Sequence, residues 1–448
     1  MKAFSFPREE LQEGLRLDIP YNQQVKHNQR LEGSKYKWRK LEDITLDICD
    51  GPRGIKLTRT GIPYLKLGNL GRAEIHYDDT TYVAAEEIKS RYQLAPGDVL
   101  LSKIGNEPRA ALVQEDLYGA TYSSDLYRLR VDPKKISPIW LEIFLNSKYL
   151  GEVINQQNYG SALRRLSAFD LRNIYVPIPS LELSSRLENL EAAAQEFSVT
   201  ARNIFDKAIQ GLFAELDQRI NVFEINGTDS FVASNQWLFE RWDVSYVRGR
   251  KLVQDIEESK LFKPLRDLAR IPVSSRKHLD PNQEICYVKI SDIDPEFMTF
   301  GTVHQEKLSN LSERIRLPLH EFQVLVLVSG SNLGSDSHPI AVVEPHLDGC
   351  LTSNAFIALE FRETPIYFGL ILRHPLVLSQ MQALSSGTVI SFISKREIGS
   401  LLLPVLGSVW REDFNDRAQI AWEKRSRAIQ LRQKAINLVD DFIKEALG

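Results

Sequence analysis

The sequence predicts an α+β fold: two tandem-repeated α/β domains separated by two long helices packed as an antiparallel coiled coil. Three observations carry this. First, Leu183, Leu187, Leu190, Ala194, Phe197, Ala201, Ile204, Ala208 and Leu212 recur in steps of three and four, which keeps an apolar stripe on one side of a helix from Leu181 to Asn221. Second, Trp410, Phe414, Ala418, Ala421, Ala428, Ala435, Val439, Phe442 and Ala446 repeat that spacing, widened by Trp422, Ile429, Ile436 and Ile443. This C-terminal stretch, ending at Leu447, supplies the partner the first stripe needs. At about 40 residues, each helix would reach roughly 60 Å. Third, each long helix closes one copy of an internal repeat.

The repeat is legible in order along the chain. Arg16-Leu-Asp18-Ile-Pro-Tyr21 recurs as Arg241-Trp-Asp243-Val-Ser-Tyr246, and Leu41-Glu-Asp43-Ile44 as Leu265-Arg-Asp267-Leu268. Ile62-Pro-Tyr64-Leu-Lys66-Leu-Gly-Asn69-Leu70 recurs as Ile285-Cys-Tyr287-Val-Lys289-Ile-Ser-Asp292-Ile293. Later, Tyr122-Ser-Ser-Asp125 answers Leu351-Thr-Ser-Asn354, Gly160 answers Gly387, and Leu166 through Pro177 matches Ile393 through Pro404. The boundaries that follow are a first domain at 1–179, a long helix at 180–223, a second domain at 224–405 and a long helix at 406–448.

Within the first copy, Asp18 reads as a helix N-cap with Pro20 just inside the helix, and Asp243 and Ser245 read the same way in the second. From Trp38 short β-like runs alternate with turns: Ile44–Ile48, Asp50-Gly51-Pro52, Ile62–Leu67 and Gly68-Asn69. Pro96-Gly97-Asp98 then introduces Val99–Ser102, and Ala110–Val113 is a further strand. A helix is predicted from Pro138 to Leu150, followed by a polar segment, Asn155–Arg165, and a stiff connector, Val176-Pro-Ile-Pro179. In the second copy Val324–Val328 and Pro365–Leu372 take the corresponding strand and helix positions.

Composition is that of a soluble globular chain, 43% hydrophobic and 26% charged. The longest strongly apolar run, Val324–Val328, is too short to cross a bilayer. Glu9, Glu10 and Glu13 stand where a secretory signal would be basic and apolar, so a cytoplasmic location is expected. Cys49, Cys286 and Cys350 form no paired metal-binding motif and read as small buried strand residues. With a net charge of −3, split as 30 basic against 30 acidic residues up to Phe223 and 26 against 29 after it, any nucleic-acid surface must be local.

Ile62 through Leu70, then Leu94-Ala-Pro-Gly-Asp-Val-Leu-Leu-Ser102 with Gly105, then Gly160, and finally Leu171-Arg-Asn-Ile-Tyr-Val-Pro-Ile-Pro179 run into the long helix. In this order, and in duplicate over nearly the whole chain, they resemble the specificity (S) subunit of type I restriction-modification enzymes. Three departures stand out. Leu181-Glu-Leu-Ser-Ser-Arg186 lacks the glutamine that usually follows the proline pair. Leu403-Pro-Val-Leu406 has a single proline, and Glu321-Phe-Gln323 replaces the Pro-Gly-Asp turn.

The resemblance implies two target-recognition domains, each reading one half of a split site in double-stranded DNA, with helix length setting the spacer. It further implies two modification (M) subunits holding S-adenosylmethionine and methylating adenine, and two restriction (R) subunits using ATP and Mg. No cofactor or metal is then expected on this chain. In agreement, it has no phosphate-binding Gly-x-x-x-x-Gly-Lys loop, no Asn-Pro-Pro-aromatic element, no His-Glu-x-x-His and no Gly-x-Ser-x-Gly. Glu87-Ile-Lys89 resembles part of a nuclease motif but reads as a solvated face.

DNA contacts call for Arg, Lys, Ser, Thr and Asn on loops. In the first copy the candidates are Arg53, Lys56 and Arg59; Lys103, Asn106 and Arg109; and Tyr159, Ser161, Arg164 and Arg165. In the second they are Ser274, Ser275, Arg276 and Lys277; Ser331, Asn332, Ser335 and His338; and Thr388, Ser391, Lys395 and Arg396. Phe197, Ile204, Phe205, Trp422 and Ile429 are expected to form the helix-pair core and part of the platform for M. Two alternatives remain on sequence alone, a protein-interaction scaffold that never touches DNA and a stand-alone restriction endonuclease.

Overall fold

The computed structural model describes residue 31 and residues 35–76, 81–104, 108–157, 166–220, 261–272, 280–386 and 390–447, with 155–157 described in backbone only. The expected caps at Asp18, Pro20, Asp243 and Ser245 lie outside these residues. The chain divides into two compact units, Met1–Phe197 with Arg427–Gly448, and Ser198–Ser426. Each unit therefore takes in part of both long helices.

In the first unit, β1 (Trp38–Lys40) leads through a single helical turn, α1 (Leu41–Ile44), into β2 (Thr45–Asp50). Then come β3 (Leu57–Thr58), β4 (Ile62–Leu65), β5 (Thr81–Val83), β6 (Asp98–Ser102), β7 (Ala110–Leu112), β8 (Thr121–Tyr122) and β9 (Leu126–Val131). Helices α2 (Pro138–Leu145), α3 (Lys148–Gln157) and α4 (Ala168–Arg172) follow, then β10 (Tyr175–Pro177) and the long α5 (Leu181–Ile220). One antiparallel sheet has the order β2-β9-β6-β7, a mixed sheet has the order β3-β5-β4-β8 with β4 parallel to β8, and β1 pairs with β10.

Strand β9 has no clear signal in the sequence because Leu126-Tyr-Arg-Leu-Arg-Val131 breaks the apolar pattern with two arginines. Both are compensated: Arg128 is buried against Asp47 and donates to the Arg91 carbonyl at 2.8 Å, and Arg130 forks onto Asp98 at 2.8 and 2.7 Å. The predicted helix from Pro138 to Leu150 is interrupted. Asn146 turns its side chain onto the edge strand β7, accepting from the Ala110 amide at 3.1 Å and donating to its carbonyl at 2.9 Å, and so ends α2.

The second unit repeats this plan with β11 (Phe262–Pro264), α6 (Leu265–Leu268), β12 (Ala269–Arg270), β13 (Glu284–Tyr287), β14 (Ile293–Asp294), β15 (Thr299–Phe300) and β16 (His304–Lys307). It continues through β17 (Ile315–Pro318), β18 (Val324–Leu327), β19 (Ser329–Gly330), β20 (Ile340–Val342), β21 (Leu351–Ser353) and β22 (Phe356–Phe361). It closes with α7 (Pro365–Leu372), α8 (Pro375–Leu384), β23 (Ser391–Phe392), α9 (Lys395–Ser400), β24 (Leu402–Pro404) and the long α10 (Ser408–Leu447). The sheet order β12-β22-β18-β20 and the pairing of β11 with β24 match the first unit, and β16-β13-β21 repeats β5-β4-β8; this sheet then adds β17 beyond β21, where the first unit instead has β3 beyond β5.

The duplication extends to single bonds. The Leu41 amide donates to Ile174 O and the Leu265 amide to Leu401 O, both at 2.8 Å. The indole of Trp140 donates to Pro177 O at 3.0 Å, and the Tyr367 hydroxyl to Pro404 O at 3.3 Å. Glu321-Phe-Gln323 keeps the turn of Pro96-Gly-Asp98: Phe322 takes φ 60°, as Gly97 takes 86°. Gln323 and Asp98 then accept equivalent amides, from His320 at 3.0 Å and Ala95 at 2.9 Å.

Burial explains why the helices need partners. In the first unit Leu187 shares a core with Ala435, Ile436, Val439 and Ile443. In the second, Ala201, Phe205, Leu212 and Leu216 share one with Phe414, Ala418, Ala421 and Trp422. Within the second unit, a methyl on Gly211 of α5 would lie 3.6 Å from the Phe414 ring of α10, whereas Arg202 of α5 and Trp422 and Arg425 of α10 all grip residues 294–297. Numbers rise on one helix as they fall on the other, so the pair is antiparallel. Trp410, placed in the stripe by spacing, is exposed because it lies in the first turn of α10, ahead of the buried Phe414.

One sequence expectation is overturned. Cys286 and Cys350 form a disulfide, 64 residues apart; they are brought together because β13 runs parallel to β21, a pairing that no local spacing reveals. Among the described residues no helix is long and apolar enough to cross a membrane.

Two glycines test the geometry. Gly97 is in the left-handed region with open space around it, so Gly97→Ala should cost about 1–2 kcal/mol through backbone strain alone. A methyl on Gly51 would lie 2.1 Å from the Ser123 carbonyl oxygen, so Gly51→Ala should cost more. Urea unfolding of the full chain ranks the two.

Candidate nucleic-acid interface

The candidate loops of the first unit leave one end of the sheet β2-β9-β6-β7, where Asp50 pairs with Tyr127, Ser102 with Leu126 and Leu101 with Ala110. Three loops are tied there by one residue, Lys103. Its ammonium pairs with Asp50, at the start of the loop carrying Arg53, Lys56 and Arg59, and donates to Ser124 O at 2.7 Å. It also lies 4.3 Å from the centre of the Tyr127 ring. Its backbone carbonyl accepts from the Leu166 amide at 2.9 Å, which anchors the end of the third loop. Asn106, Tyr159, Ser161, Arg164 and Arg165 lie outside the described residues.

Lys103 is thus buried and engaged inside the protein, where it organises the loops rather than facing solvent. Arg53, Lys56 and Arg59 are exposed. Arg109 is half-buried where its backbone closes the hairpin on Ser102, and burial lowers the pKa of its guanidinium.

The second unit ties its loops at the corresponding place without the lysine. The Ile393 amide donates to Val328 O at 3.0 Å, as Leu166 does to Lys103. Strand β19 pairs with β23, Ser329 opposite Phe392 and Gly330 opposite Ser391. This brings the loop with Ser331, Asn332 and Ser335 beside the segment with Ser391, Lys395 and Arg396. Asn332, Ser335, Lys395 and Arg396 are exposed. Ser335 donates to Asn332 O at 2.8 Å, so part of its capacity is spent on shaping the loop. Ser274, Ser275, Arg276, Lys277 and Thr388 lie outside the described residues.

Ile390 and Phe392 flank Ser391 and are 65% and 48% exposed. A search for polar donors passes over them, although the alternation Ile390-Ser391-Phe392 within a polar segment was a signal. Glu87 and Lys89 are exposed, as expected of a solvated face.

His338 is buried, and burial pushes its imidazole down to about 4. It is neutral near pH 7 and offers no charge to a phosphate. Because the folded value is depressed, its contribution to stability is present above about 6.5 and is lost as pH falls toward 4. Acidification from pH 7 to 5 should therefore cost the second unit roughly 2 kcal/mol more in the wild type than in His338→Gln, as read by urea unfolding. For Lys103, replacement by Met should cost about 1–3 kcal/mol, whereas Arg53→Ala should stay within about 0.5 kcal/mol.

No protein-family model matches the chain. Over 152 residues it is 25% identical to the EcoBI type I restriction enzyme specificity subunit of Escherichia coli, covering 32% of each protein. The chain is similar to a type I restriction specificity subunit. The matched stretch is about a third of that relative's length. Among solved structures, the HsdS subunit from Thermoanaerobacter tengcongensis is 13% identical, with 92% of this chain and 96% of that one covered and a TM-score of 0.30. The type I restriction-modification S subunit from M. genitalium is 12% identical, with 97% and 98% covered and a TM-score of 0.37. A structure describing assembly and conformational transition of a type I restriction-modification system gives 14%, 90% and 96%, and 0.31. These TM-scores are too low to carry a functional reading.

Proposed function

We propose that this chain is the non-catalytic DNA-recognition subunit of a type I restriction-modification complex. Each domain reads one half of a bipartite duplex site, and helix length sets the unread spacer. The bound site directs adenine methylation or cleavage by two M and two R subunits, which would carry S-adenosylmethionine, ATP and Mg. The observation that supports this reading best is the duplicated loop anchorage, Leu166 on Lys103 and Ile393 on Val328. Two similar loop sets on two similar sheets are what a split site requires, and a single catalytic centre has no need of them. Exposed Arg53, Lys56, Arg59, Lys395 and Arg396 are suited to phosphate contact, which positions a reader on DNA without specifying bases.

The test is methylation sequencing of DNA from cells that express the chain with its cognate M subunit, against cells lacking the chain. A bipartite methylated motif that depends on the chain is expected. Its absence, with M expressed and bound, would overturn the reading in favour of a protein scaffold. In binding assays on the complex, Lys395→Ala and Arg396→Ala should each weaken binding to all sequences and reduce the slope of log affinity against log salt by about 1.

A further inference from the structure

We infer that the first unit contains a buried proton-binding centre, formed by Glu142, Glu191 and Arg432, and that its proton holds helix α2 on the long-helix pair. This goes beyond the DNA-reading role and does not depend on it. Glu142 is on α2, Glu191 on α5 and Arg432 on α10, and their exposures are 1%, 4% and 6%. Arg432 donates through Nε to Glu191 Oε1 at 3.2 Å and through a terminal nitrogen to Gln195 Oε1 at 3.2 Å. Its other terminal nitrogen lies 3.7 Å from Glu74. Glu142 Oε1 accepts the Leu112 amide of the edge strand at 2.7 Å.

Glu191 and Glu74 thus flank one guanidinium, and buried Glu142 lies within reach of the Glu191 and Arg432 charges. Among the described residues, Oε2 of Glu142 and Oε2 of Glu191 are buried with no hydrogen-bond partner. An ionised carboxylate without compensation in such a place takes up a proton instead. A proton on either carboxyl converts one orphaned acceptor into a donor. Glu142 is the better host: burial first, and then the neighbouring Glu191 charge, push it up to about 8. Burial raises Glu191 too, but Arg432 opposes that shift. The other charged groups near α2 are engaged at its C-terminal end, where Arg72 donates to Asn146 O at 2.6 Å and Asp440 accepts the Lys148 amide at 3.0 Å.

The repeat supplies an internal control. The positions corresponding to Glu142, Glu191, Gln195 and Arg432 are Gly369, Ala418, Trp422 and Phe205. The last three belong to the apolar core of the second unit, and a methyl on Gly369 would come within 2.9 Å of Val342. Helix α7 therefore docks by apolar packing at the place where α2 carries a buried carboxyl that must be protonated.

The sign follows from the raised folded value. The stability this site provides is fully present below about 4.5 and is lost as pH rises through about 8. The test is hydrogen exchange on the full-length protein between pH 5.5 and 8, corrected for intrinsic rates, with α7 as the reference for α2. Protection of α2 should fall about tenfold per pH unit while that of α7 does not. Glu142→Gln keeps the acceptor for Leu112 and removes the titration, so the fall should vanish and α2 should be better protected than in the wild type at pH 8. Glu191→Gln removes the neighbouring charge and should move the end of the fall to lower pH. Parallel changes in α2 and α7, or an undiminished fall in Glu142→Gln, would overturn the inference.

Discussion

The structure depends on burying the stripes of two forty-residue amphipathic helices. Neither α5 nor α10 can expose Leu187, Phe205, Trp422 or Val439 to water without losing roughly 1.5–3 kcal/mol for each large side chain. Helix-on-helix packing covers only part of each stripe, and the domains cover the rest. In the second unit the turn at 294–297 lies under Arg202, Trp422 and Arg425. In the first, α2 and the loop with Glu74 meet Glu191 and Arg432. For this reason each compact unit takes in a length of both helices.

The candidate loops are held by groups that face inward. Lys103 ties three loops at one sheet end and is consumed by doing so. Arg128 is a second cation of this kind, locked between Asp47 and two backbone carbonyls. Counting basic residues along these loops therefore overstates the charge that is exposed. The exposed set is smaller: Arg53, Lys56 and Arg59 in one unit, Lys395 and Arg396 in the other. Such a set would give the proposed DNA reader positioning contacts without a bulk basic surface, in keeping with a net charge of −3.

The two copies also show how far side-chain chemistry can change on one backbone. Asp98 with Arg130 becomes Gln323 with Glu360, a neutral amide donating at 3.0 Å where an ion pair had stood. Gly97 becomes Phe322 in the same left-handed turn, a strain of order 1–3 kcal/mol that the surrounding hydrogen bonds hold in place. A buried acid becomes Gly369. In each case the backbone hydrogen bonds persist, because they cannot be left unmade inside a core, whereas the polar side-chain solution is free to differ.

The sequence by itself determined the duplication, both long helices to within a few residues, and the strands led by Val99 and Val324, since all of these are written in periodicity or in repeated order. The single turn at Leu41–Ile44 and the break at Asn146 were not; the latter is set by the Asn146 side chain bonding the backbone of a distant strand. Among candidate contacts, residue type and loop position selected Arg53, Lys56, Arg59, Lys395 and Arg396, which are exposed. The same criterion accepted Lys103 and His338, which are buried, and passed over Ile390 and Phe392. Only the tertiary structure decided those points, along with the Cys286–Cys350 bond and the Glu142–Glu191–Arg432 centre. Burial and charge pairing join residues tens to hundreds of positions apart, and no local pattern encodes such distances.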